Sequence, residues 1–92
     1  MDEDRHSGKV EVNILLFAKA KELANTGAGV LRLPRRVKGR FILEEIICNW
    51  PSLKPLSSCL MLALNETYID LVEEINLNDS DEIAVIPPLS GG

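Results

Sequence analysis

Over residues 9–18 apolar and polar positions alternate, with Val10, Val12, Ile14 and Leu16 on one side and Glu11, Asn13, Leu15 and Phe17 on the other. A period of two sends successive side chains to opposite faces of a strand, so a strand is predicted here. Its second side begins polar and turns apolar at Leu15 and Phe17. Residues 18–25 predict a short helical turn closed by Asn25-Thr26-Gly27. Residues 28–33 predict a second strand that pairs with the first like a hairpin. Pro34 ends it, because proline has no N–H to give to a ladder.

From residue 39 to residue 50 the period changes. Leu43, Ile46, Ile47 and Trp50 fall at i, i+3, i+4 and i+7, with Glu44, Glu45 and Asn49 elsewhere. This predicts a helix of roughly 18 Å at 1.5 Å per residue. Its start is poor: Val37-Lys38-Gly39-Arg40 offers no Ser, Thr or Asp cap and puts cations where the helix dipole favours anions. Each misplaced charge costs roughly 0.3–1 kcal/mol, so packing must compensate or the first turn frays. Pro51 ends the helix, and residues 52–58, with a second proline, are expected to form a loop. Residues 59–64 alternate Leu60, Leu62 and Leu64 against Cys59, Met61 and Ala63, a third strand. Asn65-Glu66-Thr67 then turns the chain into a short strand at Tyr68-Ile69. After the acidic turn Asn78-Asp79-Ser80-Asp81, residues 82–86 make the last strand. The order is that of an α+β domain, a small mixed sheet with one main helix packed on one face.

Composition narrows the function without naming it. A chain of 92 residues buries one modest core. With 46% apolar residues and few aromatic ones, that core is built from Leu, Ile and Val. A net charge of −4 argues against nucleic-acid binding, which needs a basic surface to neutralise phosphates. Cys48 and Cys59 show neither metal spacing nor a CxxC pattern and are expected to be reduced core thiols. Residues 1–8 are polar with no apolar run behind them. They are expected to form a disordered N-terminal arm rather than a signal peptide or a membrane anchor, which points to the cytosol. The single histidine, His6, lies in that arm, and no Ser-His-Asp, Cys-His or paired-carboxylate constellation is visible. The chain is therefore not expected to be a catalyst by itself or to hold a metal.

The chemistry is expected at the C-terminus. The last strand runs into Pro87-Pro88-Leu89-Ser90-Gly91-Gly92. Two prolines fix φ near −65° and lack amide donors, so the chain is expected to leave the sheet and project outward. From Pro88 to Gly92 the extended reach is roughly 17 Å, enough to enter a deep pocket of another protein. Gly91 and Gly92, without Cβ atoms, let the backbone cross a channel that a side chain would block. A free carboxylate there is a poor electrophile until it is adenylated by ATP. The acyl-adenylate is then open to a sulfur nucleophile, giving a thiocarboxylate, or to a cysteine thiolate, giving a thioester.

The segment Asp81-Glu82-Ile83-Ala84-Val85-Ile86-Pro87-Pro88-Leu89-Ser90-Gly91-Gly92 resembles the end of the small, sulfur-carrying subunit of molybdopterin synthase, a ubiquitin-like β-grasp family. Val12-Asn13-Ile14-Leu15-Leu16-Phe17-Ala18-Lys19-Ala20-Lys21-Glu22-Leu23 is similar to that family's first strand and following turn. The resemblance implies a β-grasp domain over residues 9–86 and a tail over residues 87–92. It also implies that Gly92 is adenylated by a ubiquitin-activating-type adenylyltransferase, converted to a thiocarboxylate, and spends its sulfur on a pterin precursor, cyclic pyranopterin monophosphate. That step would occur in a separate large subunit, in a heterotetramer of two small and two large subunits. Pro87, Pro88, Leu89, Ser90 and Gly91 would be the segment that the partners grip. No permanently bound cofactor is implied, only ATP used by the activating enzyme.

The same tail suits other acceptors: a sulfur carrier for thiamine-thiazole synthesis or transfer-RNA thiolation, a ubiquitin-like modifier joined to lysines, or a plain β-grasp interaction module. The Pro-Pro-Leu-Ser spacer favours the molybdopterin family, and the lack of an arginine just before Gly91 leans against the modifier. If the helix covers the face of Val10, Val12, Ile14 and Leu16, then Leu15 and Phe17 point the other way. Met61 and Ala63, or Ala84 and Ile86, are candidates to join them. A partner interface is expected there, with cover by residues 52–58 or by the short strand as the alternative. Arg32, Arg35, Arg36, Lys38 and Arg40 form the only basic cluster, expected to be solvated surface, with an acidic groove on the activating enzyme as the alternative.

Overall fold

The computed structural model describes residues 8–88. The alternation of the first strand is answered by burial. In β1 (Lys9–Leu16) the inward residues Val10, Val12, Ile14 and Leu16 are at most 2% exposed, and removing such side chains from water contributes roughly 1.5–3 kcal/mol each. β1 is followed by α1 (Ala18–Ala24) and β2 (Ala28–Pro34), then by β3 (Arg36–Lys38) and α2 (Gly39–Asn49). A 3-10 helix (Pro51–Leu56), β4 (Met61–Leu64), β5 (Thr67–Ile69), β6 (Glu74–Asn76) and β7 (Glu82–Ile86) complete the order.

The main sheet runs β2-β1-β7-β4-β5. β1 sits near its centre, antiparallel to β2 (Val12 opposite Leu31) and parallel to β7 (Leu15 opposite Ala84). β7 also pairs antiparallel with β4, and β4 with β5. The expected mixed sheet, hairpin and last strand are therefore present. One core holds the inward residues of these strands together with Ile42, Leu43 and Ile46 of α2, Leu53 of the 3-10 helix, and Ile75 and Leu77.

The structure corrects several expectations. Residues 52–58 are not an open loop, because Pro51 opens a 3-10 helix that buries Leu53 and hydrogen-bonds Ser52 Oγ to the Leu23 carbonyl of α1. β3 and β6 were not expected. They form a separate two-stranded antiparallel ribbon with Val37 opposite Ile75, and three residues with one inward apolar side chain each leave no period to read. The buried stripe of α2 is Gly39, Ile42, Leu43 and Ile46, while Ile47 and Trp50 are only half-buried. Trp50 instead lays its indole over Gly29 of β2, where a Cβ would stand 2.6 Å from Cη2.

Cys48 and Cys59 are free but exposed, so neither is a core thiol. Cys48 lies off the buried stripe of α2. Cys59 sits in the turn before β4 rather than in the strand, with its thiol donating to the Leu56 carbonyl at 3.4 Å. The expected arm, apart from Gly8, lies outside the described residues. Gly8 itself is tied down, its carbonyl accepting the Arg35 N–H.

Candidate functional site

Side chains of one register alternate across a sheet, so the outward set follows from the pairing. Leu15 lies beside Ala84, Ala84 beside Ala63, Ala63 beside Tyr68, and Ile86 beside Met61. These residues share the face turned away from the core, with Val30 beside Asn13 on the β2 side. Phe17 is 47% exposed, Met61 43% and Tyr68 63%. Leu15 is half-buried. Leu15 and Phe17 thus point away from the helix-covered face as expected, and both Met61 with Ala63 and Ala84 with Ile86 join them. The 3-10 helix, packed on α1 instead, does not cover this face.

A cavity of about 280 Å³ opens on the face, lined by Leu15, Phe17, Ala63, Glu66, Tyr68, Glu82, Ala84 and Ile86. Glu66 and Tyr68 were not singled out from sequence. They lie some fifty positions from Leu15, Glu66 in the β4–β5 turn and Tyr68 in the three-residue β5, and only strand pairing and that turn bring them to its side of the sheet.

The place of each acid is fixed by Asn65. Asn65 N–H donates to the Glu82 carbonyl at 2.8 Å, Glu82 N–H donates to Asn65 Oδ1 at 2.9 Å, and Asn65 Nδ2 donates to Asp81 Oδ1 at 3.0 Å. The β4–β5 turn is thereby bonded to the start of β7. Its two central residues, Asn65 and Glu66, have φ of 48° and 74°. This is the hairpin turn whose twist matches the strands, and it favours Asn followed by Gly.

The tail leaves from the apolar end of the same face. Because β1 and β7 are parallel, Phe17 and Ile86 lie at one end of the sheet, and Phe17 N–H donates to the Val85 carbonyl at 3.3 Å. Pro87 is buried and belongs to the packed body, and Pro88 is exposed. Leu89, Ser90, Gly91 and Gly92 lie outside the described residues.

The sequence-adjacent cations are divided among elements. Arg32 on β2 stands opposite Glu11, Arg36 and Lys38 on β3 stand opposite Asn76 and Glu74, and Arg40 lies in the first turn of α2. All five, Arg35 included, are exposed. A second cavity of about 460 Å³ lies between α2 and the 3-10 helix, with Arg40, Glu44 and Lys54 at its edge. Among the described residues no helix is long and apolar enough to cross a membrane.

SAMP1 of Haloferax volcanii superposes with a TM-score of 0.74 at 21% identity, over 89% of this chain and 99% of that one. The complex of subunits 1 and 2 of molybdopterin-converting factor from Helicobacter pylori contains a chain that superposes with a TM-score of 0.64 at 23% identity, over 90% of this chain and all of that one. The fold is thus the expected ubiquitin-like β-grasp. In sequence, the molybdopterin synthase sulfur carrier subunit of Drosophila yakuba is 45% identical over 84 residues, 90% of this chain and 92% of that protein. The model of the ThiS family matches residues 14–92, from the middle of β1 through the glycine tail. The ThiS model spans the outer face and the tail, and on these two matches the chain belongs to the ThiS family, as a relative of the molybdopterin synthase sulfur carrier subunits.

Proposed function

We propose that this chain is the sulfur carrier subunit of a molybdopterin synthase, with Gly92 as the atom-carrying position. Its carboxylate attacks the α-phosphate of ATP in a ubiquitin-activating-type adenylyltransferase, releasing pyrophosphate and leaving an acyl-adenylate. A sulfide-level sulfur nucleophile displaces AMP to leave the thiocarboxylate, whose sulfur bonds to a carbon of the pterin precursor, cyclic pyranopterin monophosphate, in the large subunit as an oxygen substituent leaves. Water then cleaves the acyl–sulfur bond, so that the sulfur stays on the pterin and Gly92 returns to a carboxylate. The chain supplies a substrate group and no active site of its own. The observation that carries this reading is a tail with glycine at its last two positions, leaving a face whose apolar residues are exposed at the tail's root. The sulfur carrier named among its relatives aligns over nine-tenths of the chain.

Leu15 and Phe17 are the proposed anchors for the large subunit, and Pro88, Leu89, Ser90 and Gly91 the segment threaded into it, with the buried Pro87 fixing its root. The assembly is proposed as two small and two large subunits, which is what the family resemblance implies. The cytosol is its proposed compartment, a setting that suits ATP-dependent activation and two exposed free thiols.

The test is mass spectrometry of the full chain after incubation with its activating enzyme, ATP and a sulfur donor. The expected product has one oxygen of the C-terminal carboxylate replaced by sulfur. A variant with one residue added after Gly92 should stay unmodified. An unchanged mass of the wild-type chain would sink the proposal.

A further inference from the structure

We propose that the outer face takes a partner surface in which an arginine stands next to an apolar side chain. The apolar group seats among Leu15, Ala84 and Ile86, and the guanidinium binds at the carboxylates of Glu66 and Glu82. This rests on the carrier reading above and names the chemistry that the large subunit presents to it.

The cavity is apolar over most of its lining, and its charged groups are the two acids, with no cation among its lining residues. Among the described residues neither carboxylate is in an ion pair. They are not two loose surface acids: the reciprocal Asn65–Glu82 bonds, 2.8 and 2.9 Å, hold the backbone that carries Glu66 against the strand that carries Glu82. A guanidinium has five donors in a planar fork and meets carboxylates in paired hydrogen bonds, which an ammonium does not. Arginine beside an apolar or aromatic residue is also what the buried part of protein interfaces is enriched in.

The placement along β7 ties the contact to the tail. Glu82 opens this strand and Ile86 closes it, about 13 Å apart at ~3.3 Å per residue. A partner that holds the acids at one end and the apolar group in between has its surface aligned along the strand that becomes the tail. The acids thus orient the delivery of Gly92, and the apolar residues supply most of the affinity.

The experiment measures association of the full chain with the large subunit of molybdopterin synthase from the same organism, by stopped-flow or surface binding over a series of salt concentrations. The variants are the double Glu66→Gln/Glu82→Gln and, as a control for net charge, Glu44→Gln/Glu45→Gln on α2. Thermal unfolding of each variant verifies that it is folded. The first double variant should associate about tenfold more slowly with a flatter salt dependence, as expected when steering charges are lost. The control should match the wild type. A first variant with the wild-type rate and salt slope, or a control that loses as much, overturns this inference alone. A wild-type chain that does not bind the large subunit overturns the carrier reading and this inference with it.

Discussion

Glu66 occupies a position where a side chain is a burden. Its φ of 74° lies in the left-handed region, which costs a residue with a Cβ roughly 1–2 kcal/mol. Glycine would relieve that strain, giving back part of the gain through the greater freedom of the unfolded chain. Glu66→Gly is therefore expected to stabilise the domain by about 0.5–1 kcal/mol, read as a thermal midpoint higher by roughly 2–8 °C. The same variant should bind the large subunit more weakly, because it removes one of the two cavity acids. A variant that is both less stable and unchanged in binding would contradict this account of the turn. Asn65, by contrast, is in its favoured residue type and spends its side chain on Asp81 and Glu82.

At the scale of elements, the start of α2 shows how tertiary contacts replace a missing local signal. No side chain caps it, and its first turn contains no acid. Two backbone carbonyls do the work instead: Gly39 N–H donates to the Glu73 carbonyl at 3.0 Å and Arg40 N–H to the Leu71 carbonyl at 2.8 Å. The chain between β5 and β6 comes this close because Gly39 has no Cβ; one placed there would stand 2.7 Å from the Asp70 carbonyl oxygen and 3.0 Å from Leu71 Cα. In an unobstructed helix Gly→Ala stabilises by about 1 kcal/mol. Here Gly39→Ala is expected to destabilise by roughly 1–3 kcal/mol, since backbone must move and the cap with it. Urea unfolding gives the sign directly, and a more stable variant would refute the cap.

On the scale of the whole molecule, the sheet has one face covered by the core and one left open. The α2 face holds the core, and the outer face leaves Phe17, Val30, Met61 and Tyr68 exposed. Phe17 contributes its backbone to the start of α1, with its carbonyl accepting Ala20 N–H at 3.0 Å, while its ring remains 47% exposed. Phe17→Ala should therefore cost less than about 1 kcal/mol of stability. If the ring is an interface anchor, the same change should cost at least ~2 kcal/mol of affinity for the large subunit, roughly 30-fold in Kd. Titration calorimetry and thermal unfolding on the same preparation separate the two effects. Equal losses in both would show that Phe17 is a folding residue and not a docking one.

The alternation in residues 9–18 and the helical period after Gly39 were enough to establish the main elements and the outward direction of Leu15 and Phe17, and the prolines and glycines from Pro87 onward carry the chemistry proposed for the tail. Each of these is a local property: a side-chain period or a backbone restriction acts over a few residues and is legible within them. Tertiary structure decided the rest. The β3–β6 ribbon, the backbone cap of α2 and the exposure of Cys48 and Cys59 depend on segments far apart in the chain. So does the meeting of Glu66 with Glu82, which only the β4–β7 register and the Asn65 hydrogen bonds bring about. Sequence period determines which way a side chain faces within its own strand, but its neighbour across the sheet is determined only when the strands pair.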